Sequence, residues 1–307
     1  MADELIRKSL APSSRNTYDR AFEYYSKFIH DRFGNIPIFP ATVEQLVLFI
    51  AHSFEHNLAA STVTTYVSAI SYFLKMRNVP DPTSNFIVKK CLQGYQKCAG
   101  TSDTRLPITP IVLRSIVGSL DLTTNSHFIR LMLKSMYLLA FHAFLRVGEF
   151  TVNGKSTQMA SSVVCVHDVH FIHEAAANHV AFELKLSGYK HSKGKCQTLY
   201  IERNVKETNM CPVHALWSYL QLRGETMGPI FSFMDGSPVS RSYFTQQLKL
   251  SLIWAGYDTQ FYKGHGFRIG AASYAASQGI SEEKIQRMGR WSSNAFKKYI
   301  RIPVMQL

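Results

Sequence analysis

Apolar positions recur with a helical period through the first hundred residues. From Ser13 to Phe33, Tyr18, Phe22, Tyr25, Phe28 and Ile29 fall three or four apart. Ser13 and Ser14 stand ready as caps and Gly34 lies just past the end, which predicts one amphipathic helix. The pattern returns over Thr42–His56 (Leu46, Phe49, Ile50, Phe54), Ser61–Met76 (Val63, Tyr66, Ile70, Phe73, Leu74) and Thr83–Tyr95 (Phe86, Ile87, Leu92). Four such helices joined by short turns suffice for a small bundle. From Lys97 to Pro107 the chain turns polar and loses its period, so a domain boundary is expected there, with a helical domain over 1–98, a linker over 99–107 and a second domain over 108–307. Pro110–Leu120 and Ser126–Phe144 read as helices, whereas Ser162–Phe171, Val180–Leu186 and Gln197–Ile201 read as strands. The remainder is mostly helical, punctuated at Asp235-Gly236-Ser237-Pro238, Gly279 and Gly289. The expected fold class is mostly α with a small antiparallel β-sheet: an N-terminal helical bundle followed by a mixed α+β domain.

Composition narrows the partner. A chain of 307 residues with 46% hydrophobic content is long and apolar enough for two folded domains. Its 34 Lys and Arg against 21 Asp and Glu give a net charge of +13, which favours a polyanion, either nucleic acid or an anionic membrane surface. No apolar run approaches the roughly 20 residues that span a bilayer. The opening Met-Ala-Asp-Glu-Leu-Ile-Arg-Lys lacks a secretory apolar stretch, so a soluble, intracellular protein is expected, nuclear in a eukaryote and cytoplasmic in a prokaryote.

Neither metal nor cofactor is expected. The cysteines at 91, 98, 165, 196 and 211 form no paired Cys-x-x-Cys, and reduced thiols are the simpler account. His167, His170 and His173 would alternate faces on a strand, and Cys211 with His214 is half a zinc pattern, in which Pro212 reads better as the first residue of a helix. In Gly188–Cys196 the glycines stand one residue too far apart for a phosphate loop, and Cys196 occupies the required Ser/Thr position.

Three segments carry candidate chemistry. In Phe141-His142-Ala143-Phe144-Leu145-Arg146-Val147-Gly148-Glu149-Phe150, an arginine at the end of an apolar helix has a carboxylate three residues on to pair with. In Gly264-His265-Gly266-Phe267-Arg268, a His and an Arg share one face at a helix start, where backbone N–H groups favour a phosphate. The third is Met288-Gly289-Arg290-Trp291-Ser292-Ser293-Asn294-Ala295-Phe296-Lys297-Lys298-Tyr299-Ile300-Arg301, with a tyrosine on a short basic helix. Singly, each is as compatible with a surface ion pair, a helix cap or a rim aromatic.

In this order and spacing the segments resemble the tyrosine recombinases, the family of the phage integrases, Cre and the Xer recombinases, over essentially the whole chain. The resemblance implies a DNA-binding, core-binding domain at the N-terminus and a catalytic domain after it. It implies Arg146 as the first catalytic arginine with Glu149 supporting it, His265 and Arg268 as the His-x-x-Arg pair, and Tyr299 as nucleophile. The family also has a lysine in a β-hairpin; here the turn offers Lys190, Lys193 and Lys195, of which Lys190 is favoured because it follows the strand directly. The others are expected to contact the DNA backbone, as are Lys89, Lys90 and Arg105, with Lys97, Arg241 and Lys249 further candidates. The family's His/Trp position, nine residues before the tyrosine, falls on Arg290 with Trp291 next to it. Trp291 is the favoured donor, by its indole N–H; without a one-residue shift Arg290 would serve as a cation. The form Gly-Arg-Trp-Ser-Ser-x-Ala-Phe-x-x-Tyr-Ile-Arg resembles most the recombinases of DIRS and Crypton mobile elements.

By this resemblance the expected activity is site-specific recombination of double-stranded DNA through a 3′-phosphotyrosyl intermediate, for integration or excision of a mobile element. The bond energy is kept in that intermediate, so no cofactor is implied. A homotetramer on DNA is expected, and a monomer or weak oligomer when free. Two other functions share these residues: relaxation of DNA by a type IB topoisomerase, and DNA binding by a descendant that no longer cuts.

Overall fold

The computed structural model describes residues 1–100, 103–153, 163–173, 179–188, 196–224 and 226–301. It divides into two compact units, Met1–Asp103 and Thr104–Leu307.

The first unit is helical: α1 (Ala2–Ser9), α2 (Pro12–Phe33), α3 (Val43–Glu55), α4 (Ala60–Met76) and α5 (Phe86–Cys98). Periodicity did not reveal the eight-residue α1. Helix α2 begins at Pro12, ahead of the serines, because proline lacks an N–H and its φ suits the first turn. A capping box starts α3, with the Gln45 backbone N–H donating to Thr42 Oγ1 (3.1 Å) and the Thr42 N–H to Gln45 Oε1 (2.8 Å). The apolar faces close over Tyr25, Phe28, Leu46, Phe49, Ile50, Val63, Ile70 and Leu74. Between α4 and α5, Asp81 accepts the Thr83 N–H (3.0 Å) and the hydroxyls of Ser71 and Thr83, and pairs with Lys75 at 3.2 Å.

The second unit contains α6 (Pro110–Gly118), α7 (Leu120–Thr123), α8 (His127–His142), α9 (Val147–Phe150), β1 (Val169–His173), β2 (His179–Leu186), β3 (Gln197–Glu202), α10 (Pro212–Arg223), α11 (Arg241–Trp254), α12 (Gly266–Ser277) and α13 (Glu282–Met288), then a 3₁₀ turn, Asn294–Tyr299. The strands form one antiparallel sheet in the order β1-β2-β3, with Phe182 opposite Phe171 on one side and Ile201 on the other. Helix α8 runs through the core, buried from Met132 to Phe141 along its inner faces, and packs against α6, α10 and α12.

The sheet enters later than periodicity predicted. Val166–Asp168 winds into a 3₁₀ turn, stabilised by the Asp168 carboxylate accepting the Cys165 N–H at 2.9 Å, and pairing starts only at Val169. A short run of β-branched residues does not distinguish a strand from a capped turn. His167 therefore lies off the strand, and the expectation of three histidines on alternating faces does not apply to it. Among the described residues no helix is long and apolar enough to cross a membrane.

Candidate active site

Two helices end in the same way and set the site between them. At the end of α8, the Phe144 N–H donates to Phe141 O (3.2 Å) and the Leu145 N–H to Ala140 O (3.1 Å), a Schellman turn that puts Phe144 at φ 50°. At the end of α13, the Arg290 N–H donates to Arg287 O (3.0 Å) and the Trp291 N–H to Gln286 O (3.0 Å), with Arg290 at φ 55°. Glycine is the usual residue in such a left-handed position, and a bulky side chain there costs about 1–3 kcal/mol. That both turns persist means their surroundings determine them strongly.

The first turn delivers Arg146 to the start of α9. Its Nη1 donates to Glu149 Oε1 at 2.9 Å while its backbone N–H donates to Glu149 Oε2 at 2.9 Å. Glu149 is buried, whereas the Arg146 side chain keeps 26% exposure, enough for its remaining donors to meet a ligand.

The second turn divides its residues between two tasks. Arg290 points inward with a fully buried side chain, donating to Ala143 O (3.1 Å), Phe144 O (3.2 Å) and Glu149 Oε2 (2.8 Å). Trp291 lies the other way, across Gly289 and over Arg268. A Cβ on Gly289 would meet the indole at 1.5 Å, so glycine is required for that close approach.

Helix α12 begins at His265 and holds Arg268 in its first turn. Arg268 is only 1% exposed; its terminal nitrogens donate to Phe144 O and Gly289 O, and its guanidinium lies 4.1 Å from the Trp291 ring centre. Its Nε is buried with no hydrogen-bond partner among the described residues. Burial, with the nearby cations Arg146 and Arg290, pushes its pKa down to about 9, against the opposing pull of Glu149 and Tyr299. Arg268 therefore stays charged at neutral pH. The helix sits against the chain at Ile108, where the Ile108 N–H donates to Gly266 O at 2.9 Å and a Cβ on Gly270 would meet Ile108 O at 1.9 Å.

Tyr299 closes the site from the final 3₁₀ turn. Phe296 anchors that turn in the core, and Ser273 of α12 ties its end by donating to Tyr299 O (3.0 Å) and accepting the Arg301 N–H (2.8 Å). The phenol ring lies 5.0 Å from the His265 ring and 5.2 Å from the Trp291 ring, centre to centre.

A cavity of about 670 Å³ opens here, lined by Arg105, Arg146, Arg241, Lys263 and His265, with Glu149 as the carboxylate in its wall. Since Glu149 is already shared by two arginines, the cavity wall carries excess positive charge. Gly188, at the edge of the hairpin, also lines it; Lys190, Lys193 and Lys195 fall outside the described residues. Lys263 was missed by sequence reasoning, although its position two residues before His265 was legible. Lys89 and Lys90 are exposed on α5 in the other unit, Lys90 beside the Phe86 ring at 5.3 Å.

Elsewhere, Cys211 caps α10, which starts at Pro212, its sulfur accepting the His214 N–H at 3.5 Å. Cys165, His167 and Asp168 bring one ligand-type atom each within 4.8 Å of one another, the one such group among the described residues. One Asp168 oxygen there is engaged by the Cys165 N–H.

No family model matches the sequence, and no curated protein matches it. Solved structures do. The XerH site-specific recombinase bound to a palindromic difH substrate, in a post-cleavage complex, is similar with a TM-score of 0.66 at 15% identity, over 92% of this chain and 75% of that one. The Tn1549 transposon integrase in complex with circular intermediate DNA gives 0.61 at 13% identity, over 99% and 94%. A lambda integrase tetramer bound to a Holliday junction gives 0.63 at 13% identity, over 99% and 76%. At such low identity the likeness speaks for architecture, and together with the mostly helical build and three-stranded antiparallel sheet it establishes that this chain has the tyrosine recombinase fold.

Proposed function

We propose that this protein is a site-specific DNA recombinase that cuts and rejoins strands through a 3′-phosphotyrosyl intermediate. One observation carries the reading: Arg146 converges beside a cation-lined cavity with His265, Arg268, Trp291 and Tyr299, which lie more than a hundred residues further along the chain. A rim tyrosine or a helix-end ion pair needs no such convergence.

The chemistry follows from the residue types. A phenol near pKa 10 attacks poorly unless its proton leaves as the bond forms and the charge on phosphorus is offset. Tyr299 Oη attacks the scissile phosphorus while its proton passes to His265 or to solvent. Arg146 donates to a non-bridging oxygen, Trp291 donates its indole N–H, and Arg268 supplies a buried positive charge close behind. As the P–O5′ bond breaks, the leaving oxygen takes a proton from a hairpin lysine, for which Lys190 is the candidate; Gly188 in the cavity wall supports that assignment. The 5′-hydroxyl of a partner strand reverses the steps, so no energy source is consumed.

The substrate is double-stranded DNA. The N-terminal unit supplies backbone contacts through Lys89 and Lys90, and the second unit through Lys193, Lys195 and Arg105, of which Arg105 lines the cavity. Recombination requires four copies on paired duplexes, and the likeness to a lambda integrase tetramer on a Holliday junction supports that assembly; the role we assign is integration or excision of a mobile element.

The test is a suicide duplex nicked within a site from the element's own termini. A protein–DNA band that survives denaturant and is lost in Tyr299→Phe is expected. Salt-sensitive binding with no such band would overturn the enzyme reading in favour of a DNA-binding protein. Single-copy relaxation of supercoiled DNA without strand exchange would favour the topoisomerase.

A further inference from the structure

The residue in the sequence position from which the third phosphate donor was expected does not face the cavity. Arg290 is fully buried in its side chain, and three acceptors hold its guanidinium: the carbonyls of Ala143 and Phe144 and Glu149 Oε2. Those acceptors bracket Arg146. Ala143 and Phe144 form the left-handed end of α8 just before it, and Glu149 is the carboxylate that holds the Arg146 side chain and backbone.

From this geometry we infer that Arg290 is a positioning residue. It clasps the two helix-end turns together and, through Glu149 and the Phe144 carbonyl, fixes where Arg146 presents its guanidinium. This rests on the function proposed above.

Its charge and shape both matter. A planar fork satisfies two carbonyls and a carboxylate at once, which a lysine cannot do. Arg268 shares the Phe144 carbonyl, so that one left-handed residue is held by two guanidiniums. The left-handed φ of 55° at Arg290 turns its own side chain inward and sends Trp291 over Arg268. The division of labour between the two neighbours is therefore a consequence of one backbone angle: Arg290 builds the site, and Trp291 faces the substrate.

Arg290→Gly is the informative variant, because glycine adopts the left-handed turn without strain while the guanidinium and its stem are removed. Two quantities are measured on the full chain: the salt dependence of affinity for an uncleavable duplex, and the single-turnover rate of covalent adduct formation at saturating protein. A residue that touches phosphate contributes about one to the slope of log affinity against log salt. For Arg290→Gly we expect an unchanged slope, affinity within about threefold, and an adduct rate lower by about 100-fold, on the scale of a lost transition-state donor. Arg146→Met should lower the slope. Adding Glu149→Gln to Arg290→Gly should lower the rate further, since Glu149 also bonds the Arg146 side chain and backbone directly. Arg290→Lys, which keeps the charge but places all its donors on one nitrogen, should recover about tenfold of the rate; it also replaces the glycine variant if circular dichroism finds that one unfolded.

A slope reduced by about one would mean that Arg290 reaches the DNA, and an unchanged adduct rate would mean that it positions nothing; either overturns the inference. Failure of wild-type protein to form any adduct would instead overturn the recombinase reading, while the slope comparison would still decide whether Arg290 touches phosphate.

Discussion

The Arg268 guanidinium lies 4.1 Å from the centre of the Trp291 ring, so the indole covers a cation that is itself buried behind the cavity. A charge over an aromatic face contributes about 0.5–2 kcal/mol, more as it is desolvated. Trp291 thus has two separable parts: a face that stabilises Arg268 and an N–H able to donate. Trp291→Phe keeps the first and removes the second. Adduct formation should fall by about 10²-fold with the melting temperature nearly unchanged, whereas Trp291→Ala should also destabilise by about 3 kcal/mol. Wild-type cleavage by Trp291→Phe would remove the indole N–H from the mechanism.

Glu149 stands between Arg146 and Arg290 and bonds to both. Its loss removes the carboxylate paired at 2.8 Å with a fully buried guanidinium, at a cost of about 3–5 kcal/mol. All three tryptophans, Trp217, Trp254 and Trp291, lie in the second unit, so the urea transition followed by their fluorescence reports that unit. Glu149→Ala should move its midpoint down accordingly. A shift under 1 kcal/mol would show that the clasp is unimportant to stability.

Arg268 is lowered by burial to about 9, well below the ordinary arginine range. Below pH about 9 it is charged in both folded and unfolded chains and adds no pH dependence. Above pH about 9 and up to the ordinary arginine range, the folded chain releases the proton first, so stability rises on its account while the site loses a positive charge. Affinity of the Tyr299→Phe variant for duplex DNA should therefore decline above pH 9, by at most about tenfold per unit, with the onset moved upward by bound phosphate. Affinity that stays flat to pH 10.5 would argue against a role for this charge in binding.

Asp81 ties the α4–α5 connection. Burial works to raise its pKa, but hydrogen bonds from Ser71 and Thr83, with Lys75 adjoining, hold it at about 2, below the ordinary 3.8. Its stabilising contribution is present above pH 3.8 and is lost as pH falls toward 2. Asp81→Ala should cost the N-terminal unit about 1–2 kcal/mol, as for a lost helix cap, and should flatten that acid dependence in far-ultraviolet circular dichroism. An acid profile identical to wild type would count against it.

Gly270 faces the backbone of Ile108, where an added Cβ would stand 1.9 Å from the carbonyl oxygen. Since Ile108 also hydrogen-bonds Gly266, the chain cannot yield without moving the start of α12 and the residues His265 and Arg268 that it carries. Gly270→Ala should destabilise the second unit by at least about 1–3 kcal/mol and slow adduct formation, and a neutral effect on both would show that this contact is soft.

How much of this was legible in the chain depended on the range of the interaction concerned. The helices of the bundle, the long α8 and the strands over Val180–Leu186 and Gln197–Ile201 were readable because burial imposes a period on neighbouring residues. The candidate residues were readable too, since their types and order persist in the sequence whatever the fold does with them. The 3₁₀ turn at Val166–Asp168 was not, because a side chain capping a backbone N–H outweighed weak strand propensity there.

The sequence by itself determined a net charge of +13 and a set of arginine, histidine, tryptophan and tyrosine side chains suited to a phosphate. Only the tertiary structure decided which of two adjacent residues, Arg290 or Trp291, turns inward. That choice is a left-handed backbone angle at a non-glycine residue, held by the Ala143 and Phe144 carbonyls and by Glu149, about 140 residues away along the chain. Local spacing carries no record of such a constraint, because its strain is offset only by partners that folding brings near.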